Sequence, residues 1–417
     1  VTRLVTRPFG EMERKNLLSS AAVVLLLVAL ATQVAGEAGE CNPSTCSDST
    51  CRCSSTAAPG GLQPAEVPQF VVLTFDDSVT PTNFPFYQEL TGFRNPNWCP
   101  ISITFFVTHV NTDYTLVNKL HRMGHEISTH SVSHVADVEN YWRKMNRTMW
   151  TNEIVDMKTM LQLYGNIQYK DIKGFRVPFL EVGGNLMYDV LAENNFMYDC
   201  SWPTLQYTPW FISPGEAEPK GALWPYTLDY MSVQEETTGT KPTDSFPGLW
   251  LNPMTDMQDN RGEACVMLDA CQSAEDELET SADAVANMLK RNFKWHHYKD
   301  RTPFGLYVHA SWFWNSTVRH DGFRMFLEYL TTLPDVYVVS VDQLIQWTQN
   351  PVALDDIDDF EPLTCDQKLP PDTCPEQDHT NCYYNGALPI NEETAYMKIC
   401  QGPCPRNYPW VGNPYGE

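Results

Sequence analysis

The chain has 417 residues, with 28 Lys and Arg against 52 Asp and Glu, a formal net charge of −24. That balance excludes a protein built to grip nucleic acid, whose affinity rests on Lys/Arg–phosphate contacts, and disfavours an anionic membrane surface. With 42% hydrophobic residues, 12 Trp and 13 Cys, the chain is globular, carries a disulfide component and has length for a large core.

The chain opens on Val1, and Met12 is the first methionine. Residues 1–11 therefore read as an upstream extension. Arg14 and Lys15 precede an apolar run from Ala21 to Ala31, and Val34-Ala35-Gly36 closes it with small residues. Over 12–36 this is the layout of a secretory signal peptide. The run falls short of the roughly 20 residues that span a bilayer, so no membrane anchor is expected in the mature protein. Cys41, Cys46, Cys51 and Cys53 then crowd residues 37–68, where Ser54–Pro68 has the Ser, Ala, Gly and Pro content of a linker.

Phe70–Phe75 and Ile101–Val107 are apolar, β-branched runs and predict buried strands. Leu116, Leu120 and Met123 predict a helix over 113–123, stopped by Gly124. His125–Ile127 begins another strand, and 152–164 has helical periodicity through Ile154, Met157, Leu161 and Tyr164. Further strands are predicted at 174–176, 305–309 and 336–341, and a helix at 342–348. Residues 203–275 lack periodicity and read as insertions. Strands alternating with helices over 69–350 indicate a parallel α/β arrangement. From 351 to 417 the tail carries 12 acids and three bases, which is −9 of the −24.

Five cysteines sit in that tail: Cys365, Cys374, Cys382, Cys400 and Cys404. Neither terminal group has the paired C-x-x-C spacing of a zinc cluster, so disulfides are expected. Thirteen is odd, which leaves a thiol unpaired or paired between molecules. Two sequons, Asn146-Arg-Thr148 and Asn315-Ser-Thr317, are compatible with glycosylation.

Thr74-Phe-Asp76-Asp77 places two carboxylates at the C-terminal end of a strand, the edge where parallel α/β sites assemble. A solvated turn or a helix cap would show the same pair. His130-Ser-Val-Ser-His134 has the i, i+4 spacing that aims two imidazoles one way on a helical turn. Two surface histidines share that spacing, as do His121 and His125. Two His and one carboxylate make a complete protein set for a catalytic divalent cation, so Asp77 can join His130 and His134 while Asp76 keeps its basicity.

With Arg176-Val-Pro-Phe179, Tyr198-Asp-Cys-Ser-Trp202 and Leu306-Tyr-Val-His309, these motifs resemble, in order, those of the polysaccharide deacetylases, carbohydrate esterases with a NodB-like domain. The flanks Val71–Ser78 and Tyr307–Phe313 resemble insect chitin deacetylases. The resemblance implies a distorted (β/α) barrel over 69–350, with disulfide-rich N- and C-terminal extensions. It implies Asp76 as catalytic base, Asp77, His130 and His134 as ligands of Zn²⁺ or another divalent metal, and Arg176 as the partner that holds Asp76 ionised. His309 becomes the acid that protonates the leaving amine. Phe179 stands where the family usually has Tyr, but the backbone N–H used as oxyanion donor is retained. Asp199 is assigned to orient His309.

Trp202 is expected to wall the acetyl pocket, with core packing as the alternative. Trp312 and Trp314 are the candidate sugar contacts, among several Trp that include Trp210 and Trp250. The substrate implied is chitin or its oligomers, and the product chitosan plus acetate, outside the cell in a gut lumen or chitinous matrix. A second reading keeps the fold and makes the chain a chitin-binding protein with little activity.

Overall fold

The computed structural model describes residues 36–46, 49–204, 221–234, 237–271, 280–314, 316–365 and 369–417. The chain divides into two compact units, Val1–Glu37 and Ala38–Glu417. The expected signal segment lies outside the described residues apart from Gly36, and so do Asn315 and Trp210. Among the described residues no helix is long and apolar enough to cross a membrane.

Strand β1 (Gln69–Asp76) is buried along its whole length. Its side chains alternate between two cores: Val71, Leu73 and Phe75 pack with the surrounding helices, while Phe70 and Val72 join Phe106, Tyr198 and Tyr307 in the other. A strand covered on both faces reads as a continuous apolar run, which is why it is visible in the sequence. Strands β2 (Thr104–Val107), β3 (Glu126–Thr129), β4 (Gly174–Phe175) and β5 (Tyr198–Asp199) follow in parallel.

Two further strands of the main sheet lie in the region read as insertions. β6 (Tyr226–Leu228) and β7 (Phe246–Leu251) belong to the main sheet, with Trp250 opposite Tyr198 in parallel register. Pro247 and Gly248 break the β7 pattern, so its periodicity is invisible in the sequence. β8 (Phe304–His309) pairs along Val71–Asp76, and β9 (Val336–Val339) pairs with Gln69–Val72. The sheet order is β8-β1-β2-β3-β4-β5-β7-β6, with β9 sharing the β2 edge of β1. This is a distorted (β/α) barrel whose ladder stays open.

The helices bracket these strands. α1 (Phe84–Leu90) follows β1 and α2 (Tyr114–Arg122) follows β2. Asp113 caps α2 by accepting from the Thr115 and Leu116 N–H groups at 3.0 and 3.3 Å. α3 (Arg147–Gly165) starts on the Asn146 side chain and ends at left-handed Asn166. α4 (Gly184–Glu193), α5 (Ala282–Lys299), α6 (Thr317–Leu330) and α7 (Val341–Gln349) complete the set.

The extensions pack against this framework. Ser54–Pro68 is not a loose linker, because its prolines and glycines build two 3-10 turns that bury Pro59 and Val67. Gly60 adopts φ 66° with its Cα facing Pro351, where a Cβ would come within 2.7 Å. The tail forms a hairpin, β10 (Thr380–Tyr384) and β11 (Ala395–Ile399). Six disulfides pair Cys41–Cys53, Cys46–Cys51, Cys99–Cys365, Cys265–Cys271, Cys374–Cys400 and Cys382–Cys404. Cys200 is the odd thiol, and it is buried.

Candidate active site

Every motif residue sits at or just beyond the C-terminal end of a parallel strand. Asp76 ends β1 and pairs in register with His309, the last residue of β8. Asp77 begins the following loop at φ 78°, a left-handed turn that separates its side chain from that of Asp76. His130 and His134 follow β3, while Arg176 and Phe179 follow β4.

The two histidines do not lie on a helical turn, as their spacing suggested. They flank a bend in which Ser131 and His134 adopt φ 69° and 44°. The buried Glu153 carboxylate on α3 holds that bend, accepting from the Val132 and Ser133 N–H groups at 2.9 Å each. The Ser133 and Tyr141 hydroxyls also donate to it. Sequence reasoning missed Glu153, whose only signal is an acid on the inward face of a helix.

Donor atoms of Asp77, His130 and His134 all lie within 4.8 Å of one another. His130 Nδ1 is 2.8 Å from the Arg176 carbonyl, which can only accept, so Nδ1 carries the proton and Nε2 presents its lone pair. Burial pushes the His130 pKa down to about 4, against the pull of Asp76. Two imidazoles and a carboxylate with one tautomer locked fit a divalent cation such as Zn²⁺. The Cys41, Cys46 and Cys53 sulfurs also converge, but each is in a disulfide and offers no thiolate.

Arg176 is fully buried and no surface ion pair. It donates to Asp76 Oδ1 at 2.6 Å, to Thr74 Oγ1 at 2.8 Å and to the Cys200 carbonyl at 2.8 Å. Its guanidinium also stacks over Phe106, 4.1 Å from the ring centre. Burial alone would raise the Asp76 pKa, but the charges of Arg176, His130 and His309 outweigh it and hold the carboxyl below its ordinary value.

The residue that orients His309 is Asp269, not Asp199. His309 Nδ1 lies 2.9 Å from Asp269 Oδ2, while Asp199 accepts from Ser201 and Tyr188 inside the core. Burial raises Asp199 to about 6, against the hydrogen bonds from Ser201 and Tyr188 and the charge of Arg176. Asp269 sits on a short turn between Cys265 and Cys271, and Met267 bridges Tyr307 on β8. That closely spaced cysteine pair was the available signal. Burial opposes a charge on His309, yet the Asp269 hydrogen bond and the charges of Asp76 and Asp77 prevail, raising its pKa to about 9.

Phe179 adopts φ 59° and is 43% exposed, its ring 4.9 Å from His134. Its N–H has no hydrogen-bond partner among the described residues. The tryptophans divide. Trp202 is 1% exposed and donates to the Tyr188 hydroxyl, so it packs the core. Trp312 is 4% exposed, and Trp250 is buried in the sheet. Neither offers a free ring face. Trp314, 53% exposed, walls an open cavity of about 490 Å³ with Phe86, Glu89, Ala310 and His320, starting one residue beyond His309.

A family model described as polysaccharide deacetylase matches residues 65–196. The chain is 37% identical over 411 residues to chitin deacetylase 8 of Bombyx mori, covering 97% of this chain and 100% of that one. It is 32% identical over 397 residues to chitin deacetylase 1 of Bombyx mori, covering 90% and 68%. Among solved structures, the peptidoglycan deacetylase PdaC from Bacillus subtilis aligns at TM-score 0.36 and 13% identity, covering 68% of this chain and 92% of that chain.

Proposed function

Because this chain belongs to the polysaccharide deacetylase family and is an amide hydrolase of that class, we propose that it is a secreted, metal-dependent chitin deacetylase. It would remove acetyl groups from N-acetylglucosamine units to leave chitosan and acetate. The observation that carries this reading is the pairing of Asp76 with His309 across adjacent strands, with Asp77, His130 and His134 grouped beside them. Similarity to two chitin deacetylases, over the whole length of one of them, supports the substrate. Six disulfides support an oxidising compartment.

Asp77, His130 and His134 would hold a divalent cation, which supplies Lewis-acid polarisation of water and of the acetamide carbonyl. Asp76, kept anionic by Arg176, takes a proton from the attacking water as its oxygen bonds to the carbonyl carbon. The Phe179 N–H is placed to donate to the oxyanion that develops. His309, kept protonated by Asp269, delivers its proton to the amide nitrogen as the C–N bond breaks. Acetate and a free amine result. Trp314 and the cavity it walls would receive the neighbouring sugar.

Acetate release from chitin oligomers of graded length, with and without chelator, tests this reading. Release that a chelator abolishes is expected. No release from any acetylated glycan would leave the binding-protein reading in its place.

A further inference from the structure

The C-terminal hairpin turns one face inward and the other to solvent. Cys382, Ala395, Met397 and Ile399 are buried. The alternate positions bring Tyr383 opposite Tyr396 and Asn381 opposite Lys398 on the outer face. Tyr383 is 67% exposed, and its ring lies 5.1 Å from that of Tyr396 at an interplanar angle of 43°. The Tyr396 hydroxyl donates to Asn381 Oδ1 at 3.3 Å, which fixes the ring. Cys382–Cys404 and Cys374–Cys400 staple both strands.

This face is tied to the catalytic edge of the sheet. The Tyr396 N–H donates to Asn111 Oδ1 at 3.0 Å, and Asn111 lies in the loop leaving the C-terminal end of β2. In the same loop the Asp113 N–H donates to the Val79 carbonyl at 2.8 Å, two residues beyond Asp77. We infer that the Tyr383–Tyr396 face is a second contact site for the chitin chain, a stacking platform that holds the polymer beyond the catalytic cleft. The inference rests on the chitin reading above.

The chemistry fits a neutral pyranose polymer. Aromatic faces attract the polarised C–H face of a sugar, while the Tyr383 ring, exposed beside the partly buried Tyr396, gains little from water. Of the four residues in these cross-strand pairs only Lys398 is charged, and it disfavours the cationic deacetylated chain over the acetylated one. The Tyr396 ring, held by Asn381 before binding, loses little entropy on contact. The tail is thereby part of the substrate track rather than a cover.

The test uses the full-length disulfide-bonded protein and a Tyr383→Ala/Tyr396→Ala variant. Adsorption to crystalline chitin should fall about tenfold, as the loss of a ring pair implies. On long oligomers KM should rise with kcat unchanged, while activity on a short oligomer stays at the wild-type level and shows the fold intact. Tyr383→Phe/Tyr396→Phe, which keeps the rings, should restore adsorption. Equal adsorption of wild type and the Ala variant, or no adsorption by wild type, overturns the platform. A wild type that releases no acetate yet adsorbs through these rings refutes the catalytic reading and leaves the platform standing.

Discussion

The Arg176 guanidinium meets the Asp76 carboxylate at 2.6 Å with their side chains 0% and 3% exposed, so the proposed base and its counter-ion are buried together. Asp76→Asn should cut acetate release by roughly 10²–10⁴, the usual worth of a positioned base. Arg176→Lys keeps the charge but cannot reach Asp76, Thr74 and the Cys200 carbonyl at once. It should lose about 10²-fold in kcat, with a fall in melting temperature from the broken buried network. A wild-type rate in either variant would remove these roles.

In its proposed role as acid His309 works only while protonated, so activity should fall as pH rises through its pKa. Asp269 helps hold that pKa up near 9. Asp269→Asn removes one anion, so the alkaline limb of the kcat profile should move to lower pH. Opening Cys265–Cys271 with reductant should move it the same way, because the turn bearing Asp269 loses its staple. An unmoved limb would dismiss Asp269 as a positioning residue.

Glu153 binds four donors of the histidine loop as a pure acceptor. Glu153→Gln turns an NH₂ toward those donors. Metal affinity of the apoprotein, measured by calorimetry, should weaken about 10–100-fold, with stability lower by about 1–3 kcal/mol.

Asp156 on α3 accepts from the Gly412 N–H of the tail, and burial, aided by the charge of Glu153, raises its pKa to about 6. The folded state thus holds this proton more tightly than the unfolded one. Its contribution is greatest below the ordinary value of 3.8 and is lost as pH rises through about 6. Asp156→Asn keeps the acceptor and removes the charge. Stability, read as melting temperature, should rise at about pH 8 and not at about pH 4, the gain being less than about 1 kcal/mol given solvent screening at a partly buried site.

Much of this architecture is legible in the sequence where one local cause dominates. The apolar run ending in Asp76 has no stable home but a strand buried on both faces, and the strand then carries Asp76 to the sheet edge. The spacing of His130 and His134 is legible too, but not its geometry, because the bend depends on Glu153 far along the chain. Asp199 is the nearer carboxylate in its motif, yet Tyr188 and Ser201 claim it, and only the disulfide-closed turn brings Asp269 to His309. Strand β7 escaped because Pro247 and Gly248 interrupt it. The first two misses share a cause, a partner distant in sequence, whereas β7 is hidden by breakers within the strand itself.

Cys200 places its sulfur 3.0 Å from Arg176 Nη2, inside the barrel and beyond the reach of solvent. In a chain maturing among 12 other cysteines, that thiol is a standing hazard for mispairing until the parallel strands close around it. A chain in which Cys200 mispaired before the barrel closed would hold Arg176 away from Asp76. Yield of active enzyme should therefore depend on how gently oxidant is supplied, and Cys200→Ser, which keeps a small polar neighbour for Arg176, should relax that dependence.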